Sequence, residues 1–372
     1  MRLFSLPTQI HCFDTAGEFW REFNVGAGDL VFTHRFIYDA YLAALPSACD
    51  FLFYEQFGTG EPTHTLVDAV RRAISPRAYR RIVAVGGGAV ADTAKFLALD
   101  GSHPALDFLE KRAPLVKGKA LVIVPTTCGT GSEVTNLAVL AVEEKETKFG
   151  LGGDAFYAEY AVLIPELLAS LPYDYFFYSA VDALIHAAES LVSPRSNSYT
   201  ELFSLQAISL ILASFRHIAE HGRDARFGQL KQLLLASNYA GIAFGNTGVA
   251  AVHALSYPLG GKYHVPHGQA NYQFFVPVFR AYDRLRPDGH IRVLRSAIAT
   301  ALTVDSDHGV WSALELLLSR LLPQKQLREY GMTTDEIDSF TYSVLEKQQR
   351  LLSNNYVELD RACIRAIYAA RY

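Results

Sequence analysis

The stretch RIVAVGGGAVADTAKFLAL, residues 81–99, runs from an apolar, β-branched segment into three consecutive glycines and then into an alanine-rich segment. A short apolar run closed by glycines reads as a buried strand ending in a tight turn, and the segment behind it has the composition of a helix. Strand, turn and helix in that order open a βαβ unit. Working outward, DLVFT (29–33) and ALVIVPTT (120–127) repeat the strand signature, with the helical pattern PTHTLVDAVRRAI (62–74) between them. The alternation predicts an α/β domain over residues 1–171 built on a doubly wound, Rossmann-like parallel sheet.

The pattern changes after AVLIPELLASLPYDYF (161–176). Long helical segments follow, among them SYTELFSLQAISLILASFRHIAE (198–220), LKQLLLASNYAGIAFG (230–245) and VWSALELLLSRLL (310–322). A proline-bearing turn at Leu171 and Pro172 separates the two regimes, so residues 172–372 are expected to form an all-helical second domain. A chain of 372 residues exceeds the size at which single cores stop growing, which agrees with two domains.

Half of the residues are hydrophobic and 19% are charged, a globular composition without low-complexity segments or solenoid repeats. The net charge of −4 and the scattered basic residues exclude a nucleic-acid surface and a polybasic membrane anchor. The four cysteines, Cys12, Cys49, Cys128 and Cys363, show neither a disulfide framework nor CxxC spacing, so a reducing cytoplasm is expected. The opening MRLFSLPTQIHCFD lacks the apolar core of a signal peptide, and no uninterrupted apolar run is expected to span a membrane.

Two regions carry candidate chemistry. In SAVDALIHAAES (179–190), Asp182 and His186 stand four residues apart and leave one helical face together. Singly, each is more often structural than a ligand. The stretch VAAVHALSYPLGGKYHVPHGQAN (249–271) adds His253, His264 and His267. Here His253 is expected to close a helical run before a proline- and glycine-bearing loop, and His267, after Pro266, to begin the next helix. A carboxylate with three imidazoles suits Fe(II), Zn(II), Mn(II) or Ni(II). The second region is the glycine turn Gly86, Gly87 and Gly88, where backbone and helix N-terminus can approach a phosphate. It is not GxGxxG, and alone it is a weak signal. The loop PTTCGTGSEVTN (125–136) follows the next strand with hydroxyls at Thr126, Thr127, Thr130 and Ser132, also suited to a dinucleotide.

GGGAVADTAK, PTTCGTGSEVTN, DALIHAAE and HALSYPLGGKYHVPHGQAN together resemble the iron-containing, or group III, alcohol dehydrogenase family, over nearly the whole chain. The resemblance implies a metal held by Asp182, His186, His253 and His267, with iron(II) first and zinc or manganese as alternatives. His264 is then a substrate-facing or neighbouring residue, or a solvated loop histidine. The glycine turn would meet the pyrophosphate through Gly87 and Gly88, and Thr126 and Thr127 would approach adenine and ribose. Asp92 matches the family motif, and Lys148 in EEKETKFG (143–150) matches a lysine near the nicotinamide ribose, unless it is only a surface charge. The implied reaction is reversible hydride transfer between NAD(H) and an alcohol or aldehyde, with the ion as Lewis acid. No GxSxG elbow or Cys-His signature competes with it, and Cys128 reads as a loop residue.

Many relatives carry HxxxH where this chain has HALSY, which puts Tyr257 in the place of a second histidine. A tyrosine can relay a proton, though its ordinary pKa of about 10 makes it a poor base at neutral pH. YHVPHG, SNYAGIAFGN and QQRLLSNNY are most similar to the 4-hydroxybutyrate dehydrogenase branch, which implies a substrate with a terminal carboxylate. Lys262 and His264 are the candidates to pair with it. A homodimer is the implied assembly. The alternatives are a general primary alcohol dehydrogenase, a lyase of the dehydroquinate synthase type, and a non-catalytic protein that kept the fold. Many relatives also have an aspartate at the position of His34, in LVFTHRF (30–36). Its loss removes a charge that repels a 2′-phosphate, and Arg35 beside it is a candidate phosphate partner. NAD is therefore expected, with NADP less strongly excluded.

Overall fold

The structure is a computed structural model that describes residues 2–46, 48–142, 147–306 and 308–372. The chain forms two compact units, one of residues Leu6–Leu171 and one of Pro172–Tyr372 joined by the stretch that ends at Ser5. That opening stretch was expected with the α/β domain. It belongs to the helical unit because Phe4 stacks on Tyr199 and Phe203 at 5.7 and 5.8 Å, while the Ser5 amide donates to Asn246 Oδ1 at 2.7 Å.

Among its described residues the α/β unit contains eight strands: β1 (Gln9–Cys12), β2 (Asp29–Thr33), β3 (Asp50–Phe53), β4 (Arg81–Gly86), β5 (Ala120–Pro125), β6 (Leu137–Val142), β7 (Thr147–Gly152) and β8 (Tyr160–Leu163). Six of them form one parallel sheet in the order β1-β8-β5-β4-β2-β3. Successive strand side chains point to opposite faces, so strands buried on both sides feed two cores. Leu30, Phe32, Ile82, Ala84, Leu121 and Ile123 pack on one face with the helices His64–Ile74 and Gly88–Leu97. Val31, Val83, Val85, Val122 and Val124 pack on the other with Phe19 and Trp20 of the helix Ala16–Glu22. The register sets Thr33 opposite both Phe53 and Val85, and Gly86 opposite Pro125. The carboxyl ends of β3, β2, β4 and β5 therefore lie side by side, the edge at which open α/β sheets bind ligands. The antiparallel hairpin β6–β7 was not foreseen in the sequence.

The second unit is helical among its described residues. The segment around Asp182 is a twenty-residue helix, Tyr173–Val192, buried for most of its length. The helix Ser198–His221 is long and apolar enough by length and composition to cross a membrane, although polar residues interrupt its apolar run. Here Ala207, Ile208, Ile211, Leu212 and Phe215 are buried within the unit, a core helix of a helical domain. Two further helices, Ala251–Tyr263 and His267–Leu285, carry His253 and His267.

The helix Ala251–Tyr263 corrects one expectation. His253 lies in its first turn, not at its end, and the helix continues through Pro258, Gly260 and Gly261. Proline inside a helix frees carbonyls of the preceding turn, and such kinks persist when other groups satisfy them. The Tyr368 hydroxyl donates to the Leu255 carbonyl at 2.6 Å. The helix ends at His264, in the left-handed region at φ 53°, and Pro266 precedes the next helix, which begins at His267 as expected.

Candidate metal centre and nucleotide edge

Asp182, His186, His253 and His267 converge from three helices, and one ligand atom from each lies within 4.8 Å of the others. The first three side chains are buried and His267 is about a third exposed. Asp182 Oδ1 is 3.9 Å from His253 Nε2 and 3.7 Å from His267 Nε2. Burial works to raise the Asp182 pKa, but the three imidazoles and the Asn271 amide outweigh it and hold the carboxyl below its ordinary range. The Nε2 atoms of His186 and His253 face each other at 3.0 Å. Two imidazole nitrogens that close repel unless a proton or a cation lies between them, so the donor set fits a divalent ion with nitrogen and oxygen ligands.

Surrounding groups fix these side chains. Glu189, fully buried, takes hydrogen bonds from the amides of Ala250 and Val252 at 2.9 and 2.7 Å and meets His253 Nδ1 at 2.7 Å. A carboxylate on Nδ1 holds that proton and leaves Nε2 for an ion. Asn271 Nδ2 lies 2.7 Å from Asp182 Oδ1 and 3.1 Å from His267 Nε2. The Phe244 ring stacks on His186 at 4.1 Å. A Cβ at Gly268 would come within 2.5 Å of the Tyr178 carbonyl, so only glycine lets the turn after His267 lie against the helix that carries Asp182. Sequence reading missed Glu189 and Asn271. Their signal was spacing, since Glu189 is one turn beyond His186 and Asn271 one turn beyond His267.

The other candidates in this unit fall differently. Tyr257 is buried, with its ring centroid 6.5 Å from that of His267. Lys262 was expected to meet a substrate carboxylate, but its ammonium pairs with Glu336. Glu336 also accepts from the Tyr263 hydroxyl and the Thr333 amide, at 2.5 and 2.7 Å. His264 is exposed at the helix end.

In the α/β unit, His34, Gly87, Thr126 and Thr127 line one cavity of about 110 Å³ at the carboxyl edge of the sheet. A Cβ would meet Val90 at 2.6 Å from Gly86 and Thr130 at 2.9 Å from Gly88, so the turn's close packing requires glycine at both positions. Asp92 and Ser132 lie behind this edge as braces. The Ser132 hydroxyl donates to Asp92 Oδ1 at 2.6 Å, and the Val139 amide donates to Asp92 Oδ2 at 2.9 Å. The fully buried Lys95, which sequence reading passed over, donates to Ser132 Oγ, Thr135 Oγ1 and the Leu137 carbonyl. Burial brings its pKa down to about 8 against the opposing pull of Asp92 and Glu133. Lys148, on β7, pairs with Glu61 at 2.6 Å. Arg35 Nε bonds Asp39 at 3.0 Å, and its guanidinium lies over Tyr38 and Phe53.

A parallel sheet with a glycine turn at its ligand-binding edge, in a chain whose helical unit gathers an aspartate and three histidines, fits the class of dinucleotide-dependent enzymes with a metal centre. Residues 9–165 match the model of the iron-containing alcohol dehydrogenases, and residues 176–372 match that of the C-terminal domain of the Fe-containing alcohol dehydrogenase family. The chain is 47% identical over 372 residues to a 4-hydroxybutyrate dehydrogenase of Clostridium kluyveri, with both chains covered completely. It is 33% identical to long-chain-alcohol dehydrogenase 1 of Geobacillus thermodenitrificans, across 78% of this chain and 74% of that one. Among solved structures, sulfoacetaldehyde reductase from Bifidobacterium kashiwanohense in complex with NAD+ superposes with a TM-score of 0.84 at 22% identity, covering 99% of this chain and 98% of that one. The chain belongs to the iron-containing alcohol dehydrogenase family. It is an NAD-dependent alcohol dehydrogenase whose family works with a divalent metal on small-molecule alcohols and aldehydes.

Proposed function

We propose that the chain interconverts 4-hydroxybutyrate and succinate semialdehyde with NAD(H). The observation that carries this reading is 47% identity, end to end, with the Clostridium kluyveri enzyme of that name. In this reading Asp182, His186, His253 and His267 hold the ion, with iron(II) first among the candidates. When bound, the ion acts as a Lewis acid on the substrate oxygen, which eases hydride transfer to or from the nicotinamide. Glu189 keeps His253 in the tautomer that presents Nε2, and Asn271 orients Asp182 and His267. Tyr257 replaces the second histidine of many relatives and supplies a hydroxyl for proton relay. Gly86, Gly87, Gly88, Thr126, Thr127 and Thr130 cradle the dinucleotide, with Asp92 and Ser132 bracing them from behind. Lys148 steadies that unit through Glu61 and need not touch the ribose. With Lys262 taken by Glu336, His264 is the residue we assign to the substrate carboxylate. The reading further places the enzyme in the cytoplasm as a homodimer, which sedimentation velocity checks.

The test is NADH oxidation by metal-analysed protein. Succinate semialdehyde should exceed butanal in kcat/KM by at least about tenfold, since a site built for a carboxylate discriminates against a substrate that leaves it unpaired. Equal efficiency with both aldehydes overturns the substrate assignment. His267→Ala should lose metal and turnover together, and retention of both overturns the ligand assignment.

A further inference from the structure

The strand-end carboxylate that NAD enzymes place beside the adenosine ribose is absent from β2 of this chain, where His34 stands. The structure supplies one from the neighbouring strand. Glu55 lies in the turn Tyr54–Gln56 that follows β3, and its Oε1 meets His34 Nδ1 at 2.7 Å. Its Oε2 accepts the Arg35 amide at 3.2 Å. These two contacts fix the carboxylate at the end of β2, next to the glycine turn that ends β4. The His34 ring is held between Phe36 and Tyr54, each centroid 5.2 Å away, and the residue lines the cavity shared with Gly87, Thr126 and Thr127.

We infer that His34 and Glu55 act together as the cofactor selector, favouring NAD over NADP. This rests on the reading that the sheet edge binds a dinucleotide. A ribose 2′-hydroxyl can both donate and accept, so it can hydrogen-bond to the His34–Glu55 pair, whereas a 2′-phosphate brings further negative charge up to the Glu55 carboxylate. The guanidinium of Arg35, whose amide meets Glu55, is itself bound to Asp39 and laid over Tyr38 and Phe53. The pair does with two residues from adjacent strands what one aspartate does elsewhere, and NADP is excluded more firmly than the loss of the aspartate alone suggests.

Dissociation constants for NADH and NADPH, read from nucleotide fluorescence on the metal-loaded enzyme, test this in wild type, Glu55→Gln, Glu55→Ala and the double variant His34→Asp/Glu55→Gln. Wild type should prefer NADH. Glu55→Gln and Glu55→Ala should each shift the NADPH-to-NADH ratio by about tenfold toward NADPH, the scale of removing one nearby charge. The double variant should return the preference to NADH, because the carboxylate is restored on β2. An unmoved ratio in both single variants, with NADH still bound, overturns the selector and leaves the dinucleotide reading standing. Failure of wild type to bind either nucleotide overturns both.

Discussion

At the scale of single residues, Glu189 decides whether four ligands make a usable site. It is fully buried with both oxygens engaged, by two backbone amides and His253 Nδ1. Replacing it by glutamine puts an amide NH2 against one of these donors and releases the His253 tautomer. Groups that orient a ligand typically change metal affinity by about 10–100-fold. Glu189→Gln should therefore hold metal 10–100-fold more weakly in competition with a chelator. Unchanged metal affinity in a folded variant rules out this positioning role. The cluster of proposed ligands was legible because helical spacing sets Asp182 and His186 on one face, and because family motifs picked out His253 and His267. Glu189 lies in the same quoted stretch but gives no local signal, since a buried carboxylate declares itself only through partners more than sixty positions away. Lys262 misled for the same reason: its partner Glu336 is remote in sequence, and an isolated lysine near ligands resembles a substrate anchor.

At the scale of elements, the joint between the helix Ala251–Tyr263 and the helix Glu336–Lys347 rests on Glu336. Burial would raise its pKa, but hydrogen bonds from Lys262, Tyr263 and Thr333 bring it down to about 2. Because the folded value lies below the ordinary one, this group stabilises the fold above about pH 4.5, and the contribution drains away as pH falls toward 2. Allowing for solvent screening, Glu336→Gln should cost about 1–2 kcal/mol at pH 7 in urea unfolding, and the gap to wild type should narrow at pH 3. A gap that widens at low pH contradicts the assignment. The long buried strands β4 and β5 and most long helices were legible, since a continuous apolar run or a helical period survives any context. The helix through Pro258 was not. Proline and two glycines argue locally for a loop, and what overrides them is tertiary: the Tyr368 hydroxyl on the Leu255 carbonyl and burial of the helix's first two turns.

At the scale of the whole molecule, the two ligands of the reaction call on different units. Every candidate metal ligand lies beyond Pro172, and every candidate cofactor residue lies before Leu171. The division itself was visible in the sequence as a change of period, while the return of the first residues to the helical unit depends on aromatic contacts around Phe4 that no local pattern announces. A ligand stabilises the state it binds by RT ln(1 + [L]/Kd), about 2.7 kcal/mol at a hundredfold excess over Kd, and that stabilisation appears first in amides whose exchange needs the bound segment to open. Hydrogen exchange should therefore separate the two. Adding iron(II) to metal-free protein under anaerobic conditions should slow exchange across residues 182–189, 251–257 and 267–271. Adding NADH should slow it across 86–92 and 126–132, and at the turn around His34. If the metal instead protected the glycine turn and left the helix of Asp182 unchanged, the ion would sit in the other unit, and the Asp182, His186, His253 and His267 cluster would be a buried polar network with no ion to hold.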